Sequence, residues 1–561
     1  MWSSPRATAD FRAPALDTSS ASPIAVTRVP VLCFLVFAAL FALLRSHDIG
    51  AVDGASRCLE VYRHQALLIH QDHHLLYLAD VYAWTRLAGA LGFHLQGPFD
   101  FYSVVELMNG LAAAGCLAIF CGLLHRITSS WPWAVAGTLG FGFSRAFLVT
   151  ATNSNEPMVG LFWSFLGLMF ALMAVGKASR AMFVLSGFIF ALAMATYQSM
   201  VLLAPAVLVV LWREWPAAGS MRTSSARLQS VGAFAAGGAA GLVIIFGAAF
   251  RLSGIPFGLE MFTRFFSSED SRAYLGLTPS RLLNLPVGAM RNIFPILPRF
   301  TGIRQMLAAQ TSSAVLLVIL LIGFASLLGL CAVHLRRKWA TLTVIRQTAL
   351  LAAAAGLVCT LVPVVIWSPH YDKLWLEPLA CLAVILVLGL STMSQDSQVS
   401  PLLSRFAPAL LLLGVLANLT WAVPSHTREF ADLKEPQRLA GMIGPNDLFV
   451  GGWDSVSGFY GALWADPARF ISFPQEAVLH GPGAVAELEA AVARTRKSGG
   501  RVFFLSILEL PEPAWSQFLG VRCGVPYDSL RPYRANSRLA ATFAGSDGSF
   551  ALMEYDAPST Q

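Results

Sequence analysis

The chain has 561 residues, 56% of them hydrophobic and 13% charged, with a formal net charge of +7 and a mean hydropathy of +0.61. A soluble domain carries about 25% charged residues, so a water-soluble globule of this size is excluded. The basic residues fall between apolar runs rather than in one patch, which points to charges that fix membrane topology and away from a nucleic-acid partner.

Residues 1–28 are polar, contain Arg6, Arg12 and Arg28, and lack a short apolar core with a cleavage site, so a cytoplasmic tail is expected rather than a signal peptide. A helix needs about 20 residues to cross a hydrocarbon core of roughly 30 Å. Runs of that kind lie at 29–46, 104–124, 131–151, 157–175, 181–197, 198–213, 230–251, 312–334, 347–367, 374–391 and 407–424. The expected fold is therefore a polytopic α-helical membrane protein of about eleven transmembrane helices, its membrane domain spanning 29–424. Basic residues occupy alternate connections: Arg126, then Lys177 and Arg180, then Arg213, Arg222 and Arg227, then Arg336, Arg337, Lys338 and Arg346, then Arg405. By the positive-inside rule these lie with the tail in the cytoplasm.

The complementary connections are then outside: 47–103, 152–156, the turn at Tyr197, 252–311, 368–373 and everything after about 424. The two long outer loops, 47–103 and 252–311, exceed the length that structureless connections usually reach, and such loops are commonly functional. Loop 252–311 mixes apolar residues with Arg264, Arg272, Arg281, Arg291, Arg299 and Arg304, as expected of short amphipathic helices at the headgroup level. Residues 425–561 have no spanning run; strands at 447–451, 501–507 and 549–555 and a helix at 483–497 predict a small extracytoplasmic α/β domain. Its segment DLFVGGWDSVSGFYGALW matches neither a dinucleotide nor a phosphate-loop pattern. Six of the eight cysteines lie inside apolar runs; Cys58 and Cys523 fall in outer segments, where a disulfide between them could persist.

Ionisable residues concentrate in the first outer loop, which carries Asp48, Asp53, Glu60, His64, His70, Asp72, His73, His74, Tyr77 and Asp80. A carboxylate where membrane meets water can take a proton from an attacking hydroxyl; the bland alternative is a solvated loop. His73, His74 and Tyr77 either contact an acceptor or begin a helix tucked under the loop. Metal ligation through His70, Asp72, His73 and His74 suits the residue types, but near-consecutive positions cannot all converge on one ion in a regular helix. Glu156, in ATNSNEP, is either a capping acid ahead of Pro157 or a functional carboxylate. In SPHYDKLWLEPL, Lys373 is either a point charge for a phosphate or an interfacial anchor with Tyr371 and Trp375 as belt aromatics. Glu106, Asn109 and Arg145, in or beside spans, mark a polar interior.

Taken together, VDGASRCLEVYRH after the first span, HHLLY before the second, NEPMVGLFWSFLGLMFAL at the fourth and YDKLWLEPL near the last resemble the GT-C membrane glycosyltransferases of the protein mannosyltransferase and aminoarabinose transferase type. The resemblance implies transfer of a hexosyl or pentosyl unit from a polyprenyl-phosphate donor to a protein, lipid or glycan acceptor at the outer face of the cell membrane, with inversion. It matches Asp53 to the loop acid that acts as base or orients the acceptor, with Asp48 second, and Glu156 to the second acidic position. Lys373, Arg264, Arg272 and Arg291 would balance the donor phosphate, and a divalent metal between Asp53 and Glu156 stays open. Gly54 departs from the pattern, since protein mannosyltransferases often carry a second acid there. The competing class is a transporter or flippase of lipid-linked precursors, although the sequence shows no internal repeat of the kind common in transporters.

Overall fold

The computed structural model describes residues 23–45, 54, 57–59, 61–62, 74–95, 97–177, 179–213, 224–253, 277–294, 311–369, 371–396, 414–420, 431–452, 469–545 and 548–556. The helices of the apolar region are α1 Pro23–Leu43, α2 Tyr77–Ala90, α3 Pro98–Thr128, α4 Trp131–Gly142, α5 Arg145–Ala151, α6 Pro157–Lys177, α7 Arg180–Thr196, α8 Ala204–Arg213, α9 Ser224–Ser253, α10 Pro279–Ile293, α11 Thr311–Lys338, α12 Val344–Ile366 and α13 Leu376–Ser394. Their starts follow local chemistry. Proline occupies the first turn of α3 and α4, where its missing N–H costs nothing. The Ser179 and Thr343 hydroxyls accept from the amides of Met182 and Arg346, capping α7 and α12.

Among the described residues six helices are long and apolar enough to cross a bilayer, or seven spans if the bent pair α4 and α5 is one; Arg28–Leu43, Arg180–Thr196 and Gln198–Arg213 are shorter apolar helices. Two of the expected runs are not regular helices along their whole length. The run 131–151 is not one helix: α5 turns 70° away from α4. Ser144 adopts an extended backbone and its hydroxyl donates to the Phe141 carbonyl at 2.7 Å, which ends α4. Twelve residues of α4 rise about 18 Å, less than the roughly 30 Å of a hydrocarbon core. The run 198–213 opens with a 3-10 turn, Gln198–Leu203, so its α-helix is only ten residues long. Of the run 407–424, residues 414–420 are described, as helix.

The connections sort to two ends. At one end, Arg346 donates to the carbonyls of Ile127 and Thr128, both at 3.1 Å, Lys338 pairs with Asp396 at 2.8 Å, and Arg180 donates to Gln229. At the other, residues 54–62, 74–77, 153–156, Tyr197 and 369–375 come together, as set out below. The main apolar core runs between these ends, through Phe41, Leu117, Phe147, Leu161, Met200 and Leu376.

The C-terminal sheet comprises β1 Leu448–Gly451, β2 Arg469–Ser472, β3 Val502–Leu505, β4 Ser537–Gly545 and β5 Gly548–Tyr555 in the order β2-β1-β3-β5-β4. The first three are parallel and the last two antiparallel. The Asp447 carboxylate ties the starts of β1 and β3, accepting from the Gly444 amide at 2.7 Å, and from the Arg501 amide and guanidinium at 2.8 Å each. Alternate strand residues face opposite sides. Leu448, Val450 and Phe504 pack under the helix Gly483–Lys497, while Phe449, Phe503 and Leu505 share a cluster with Cys58, Leu59 and Val61 of the first loop and with Tyr77 and Leu78 of α2. The sheet therefore sits on the acid-bearing end of the bundle. This arrangement also corrects the disulfide expectation: Cys58 and Cys523 form no disulfide with each other and are buried in different clusters on opposite faces of the sheet.

Candidate functional site

Glu156 ends the short connection between α5 and α6 and is 1% exposed. Its Oε1 lies 3.2 Å from Nε2 of His74, the residue just ahead of α2. His74 takes a left-handed backbone with φ of 57°, a conformation costly for most residues but met more often with histidine, and its ring stacks on Tyr197 at 5.1 Å and 16°. The charges of Lys373, Glu377 and Glu156 all act on the Tyr197 hydroxyl. Four separate connections thereby meet around one phenol.

The turn that carries Glu156 is braced from below. Asn109, buried in α3, donates to the carbonyls of Asn153 at 2.8 Å and Asn155 at 2.6 Å. The Tyr77 hydroxyl donates to the Ser154 carbonyl. Gly54 packs so closely here that a Cβ would overlap the Ser154 carbonyl and hydroxyl oxygens. No side chain, a second acid included, would fit at position 54 against Ser154 without displacing it. The same contact sets the chain neighbour of Asp53 two residues from Glu156.

Burial governs the titration of the groups outside the spans. The Cys58 thiol is pushed up by burial and further by the charge of Glu106. The Tyr77 hydroxyl is pushed up by burial, then by the charges of Cys58 and Glu156. Asp80, half-buried in α2, is pushed up to about 7 by burial, against the hydrogen bond its Oδ2 accepts from Thr196 at 3.2 Å. An acid that titrates near neutrality so close to the acid-bearing turn could exchange a proton at working pH.

Of the candidate site residues, Glu156, His74, Tyr77 and Lys373 belong to this assembly. Asp48, Asp53, His73, Arg264 and Arg272 lie outside the described residues. Arg291 is on the amphipathic helix α10, but it is 1% exposed, so it is not a headgroup-level cation. Leu282 and Leu283 form the outward side of that helix. Trp375 is no belt aromatic either: it is 1% exposed and its indole donates to the Pro369 carbonyl at 2.8 Å. Lys373 is half-buried over the Tyr371 ring, 5.3 Å from its centroid.

Sequence reasoning missed Tyr197, Asn109 as a brace, and Glu377, which is 2% exposed and accepts from Ser199 at 2.8 Å. The available signal was Glu377 itself, an acid inside an apolar run. Among the described residues no three His, Cys, Asp or Glu side chains converge on a possible metal position. Glu156 already faces His74, so a metal there would need Asp53 as well. A separate apolar groove of about 820 Å³, lined by Leu208, Trp212, Val231, Val358 and Cys359 among others, includes none of the site residues.

No protein-family model matches the chain, and no curated protein matches it. Solved structures do resemble it. ArnT from Cupriavidus metallidurans bound to undecaprenyl phosphate aligns over 95% of this chain and 97% of that chain, with a TM-score of 0.51 and 12% identity. The same enzyme in its apo state gives a TM-score of 0.49 at 12% identity over the same shares. An oligosaccharyltransferase from Archaeoglobus fulgidus in the apo form gives 0.47 at 13% identity, covering 95% of this chain and 75% of that one. The first of these carries the fold: the chain shares the overall fold of ArnT, and among the described residues six helices, or seven spans if the bent pair counts as one, are long and apolar enough to cross a membrane.

Proposed function

We propose that this protein is a membrane glycosyltransferase that moves a sugar from a polyprenyl-phosphate donor to an acceptor hydroxyl or amine at the outer face of the cell membrane, with its N-terminal tail in the cytoplasm. The observation that carries the reading is the buried Glu156 and His74 pair, 3.2 Å apart, on a turn against which Gly54, the neighbour of Asp53, is packed. The fold it shares with ArnT, whose structure holds undecaprenyl phosphate, supports the donor class. A bundle of apolar helices with acids gathered at one end gives a lipid carrier and a water-borne acceptor a common meeting place.

In this reading the lipid phosphate is already a capable leaving group, so the protein mainly positions donor and acceptor and handles charge. The acceptor's nucleophilic atom bonds to the anomeric carbon from the face opposite the phosphate. The bond from that carbon to the phosphate oxygen breaks, the phosphate keeps the electron pair, and configuration inverts. Asp53 takes the acceptor proton. Glu156, oriented by His74, and the Tyr197 hydroxyl line the sugar position, and Lys373 offsets the charge on the departing phosphate. A divalent ion held by Asp53 and Glu156 would supply further charge balance there. The transporter reading draws on one feature, the break between α4 and α5, but leaves the buried Glu156 and His74 pair without a task.

The test is transfer of labelled sugar from polyprenyl-phosphate donors in proteoliposomes by the wild type and by Asp53→Asn. Transfer by the wild type that falls at least about 100-fold in the variant, the scale of a lost general base, supports the reading. Unchanged transfer removes Asp53 from the base role, and no transfer from any donor by the wild type returns the transporter.

A further inference from the structure

A charged pair is buried in the outer half of the bundle. Arg145, the first residue of α5 after the break, is 6% exposed, and Asp372, the first residue of the 3-10 turn Asp372–Trp375, is 8% exposed. Arg145 Nη1 donates to Asp372 Oδ1 at 3.2 Å across 227 positions of sequence. Desolvating two such groups costs about as much as their attraction returns, and well-packed apolar residues often serve stability equally well. Stability alone therefore gives no reason for this pair to be ionic.

What the pair touches suggests the reason. Asp372 is the chain neighbour of Lys373, and the segment around them is pinned at three further points. The Trp375 indole holds the Pro369 carbonyl at 2.8 Å, the Leu374 amide donates to the Tyr371 carbonyl at 3.1 Å, and Gly288 of α10 approaches Pro369 so closely that a Cβ would overlap its carbonyl oxygen. Arg145 in turn stands where α5 leaves α4, so the ion pair joins the broken helix to the 372–375 turn packed against it. The Lys373 ammonium stands over the Tyr371 ring, 5.3 Å from its centroid, near enough to Tyr197 for its charge to act there.

Resting on the proposed reading of this end as the donor site, we infer that Arg145, acting through Asp372, is a positioning residue that sets the Lys373 ammonium for the donor phosphate. It need not touch the phosphate itself. A tether of this kind fixes a flexible lysine side chain at its root, which reduces the entropy lost when the ammonium meets an anion.

The test measures binding of a polyprenyl phosphate to the full-length protein in detergent, alongside its melting temperature. The variants are Lys373→Ala, the apolar pair Arg145→Met with Asp372→Leu, and all three together. The expected result is a melting temperature near wild type for the apolar pair, an affinity about tenfold weaker, and no further loss in the triple variant, since non-additivity marks residues that act as a unit. Should the apolar pair fail to fold, Arg145→Lys keeps the charge but loses the planar fork, and a weaker affinity with a normal melting temperature is expected of it. Undiminished affinity in the folded variants, or losses that add to that of Lys373→Ala, overturns the inference while wild-type binding stands. Absence of binding by the wild type overturns this inference and the donor-site reading together.

Discussion

Two spans of nearly equal hydropathy live in opposite surroundings. The span Asp372–Ser394 has a hydropathy of 2.1 and is 72% buried, whereas Val318–Thr341, at 2.5, is 11% buried. The first carries Asp372, Lys373 and Glu377 at its N-terminal end; the second has no charged residue until Arg336. Hydropathy reports that both cross the membrane. The few polar residues report which of them faces the protein, because an ionisable group in hydrocarbon must find a partner or water. The site lies where polar span ends meet, and the lipid-facing span has no part in it.

The largest effect that could break this contrast is at the buried pair. Arg145→Ala leaves Asp372 as an uncompensated buried charge and should destabilise by about 3–5 kcal/mol, read as a large fall in melting temperature in detergent. A change of less than about 1 kcal/mol would mean that water reaches Asp372 and that the outer end is wetter than described. Gly54→Ala should cost about 1–3 kcal/mol, because the new methyl must displace the Ser154 turn. It should also lower transfer, since the displaced turn carries Glu156.

Asp80 sharpens the comparison through pH. Its carboxyl is raised from 3.8 to about 7, so the folded chain holds a proton that the unfolded chain has released. That contribution is complete below about pH 4 and is lost as pH rises through about 7. The wild type and Asp80→Asn should melt alike at about pH 4, and the variant should be the more stable at about pH 8, by thermal scans in a fixed detergent. The smallest expected effect is on the lipid side: Ile322→Ala, at a residue 62% exposed on α11, should change stability by no more than about 0.5 kcal/mol. A loss of several kcal/mol there would reveal a partner on that face.

Much of the fold was legible because its signals are local. Apolar runs located the long spans, and the continuous apolar strands LFVG and VFFL were readable because parallel strands are buried on both faces. The break at Ser144 was not readable, since it depends on where α5 must turn to bring Arg145 to Asp372, a contact 227 positions away. At the site, Glu156 and Lys373 stood out as ions beside apolar helices. Tyr197 did not, because a tyrosine between two spans looks like any interfacial aromatic until His74 stacks on it. Arg291 misled for the complementary reason: an arginine on an amphipathic helix reads as a surface anchor, and only packing reveals that α10 turns that side inward.

The most direct test of the account compares single-turnover transfer from a polyprenyl-phosphate sugar donor by the wild type and by Glu156→Gln in the same proteoliposomes. Glutamine keeps the shape and a hydrogen bond to His74 while removing the charge. Transfer should fall about 100-fold, the scale of one lost electrostatic contact to the transition state, with the melting temperature preserved. Equal transfer by the two proteins would contradict it.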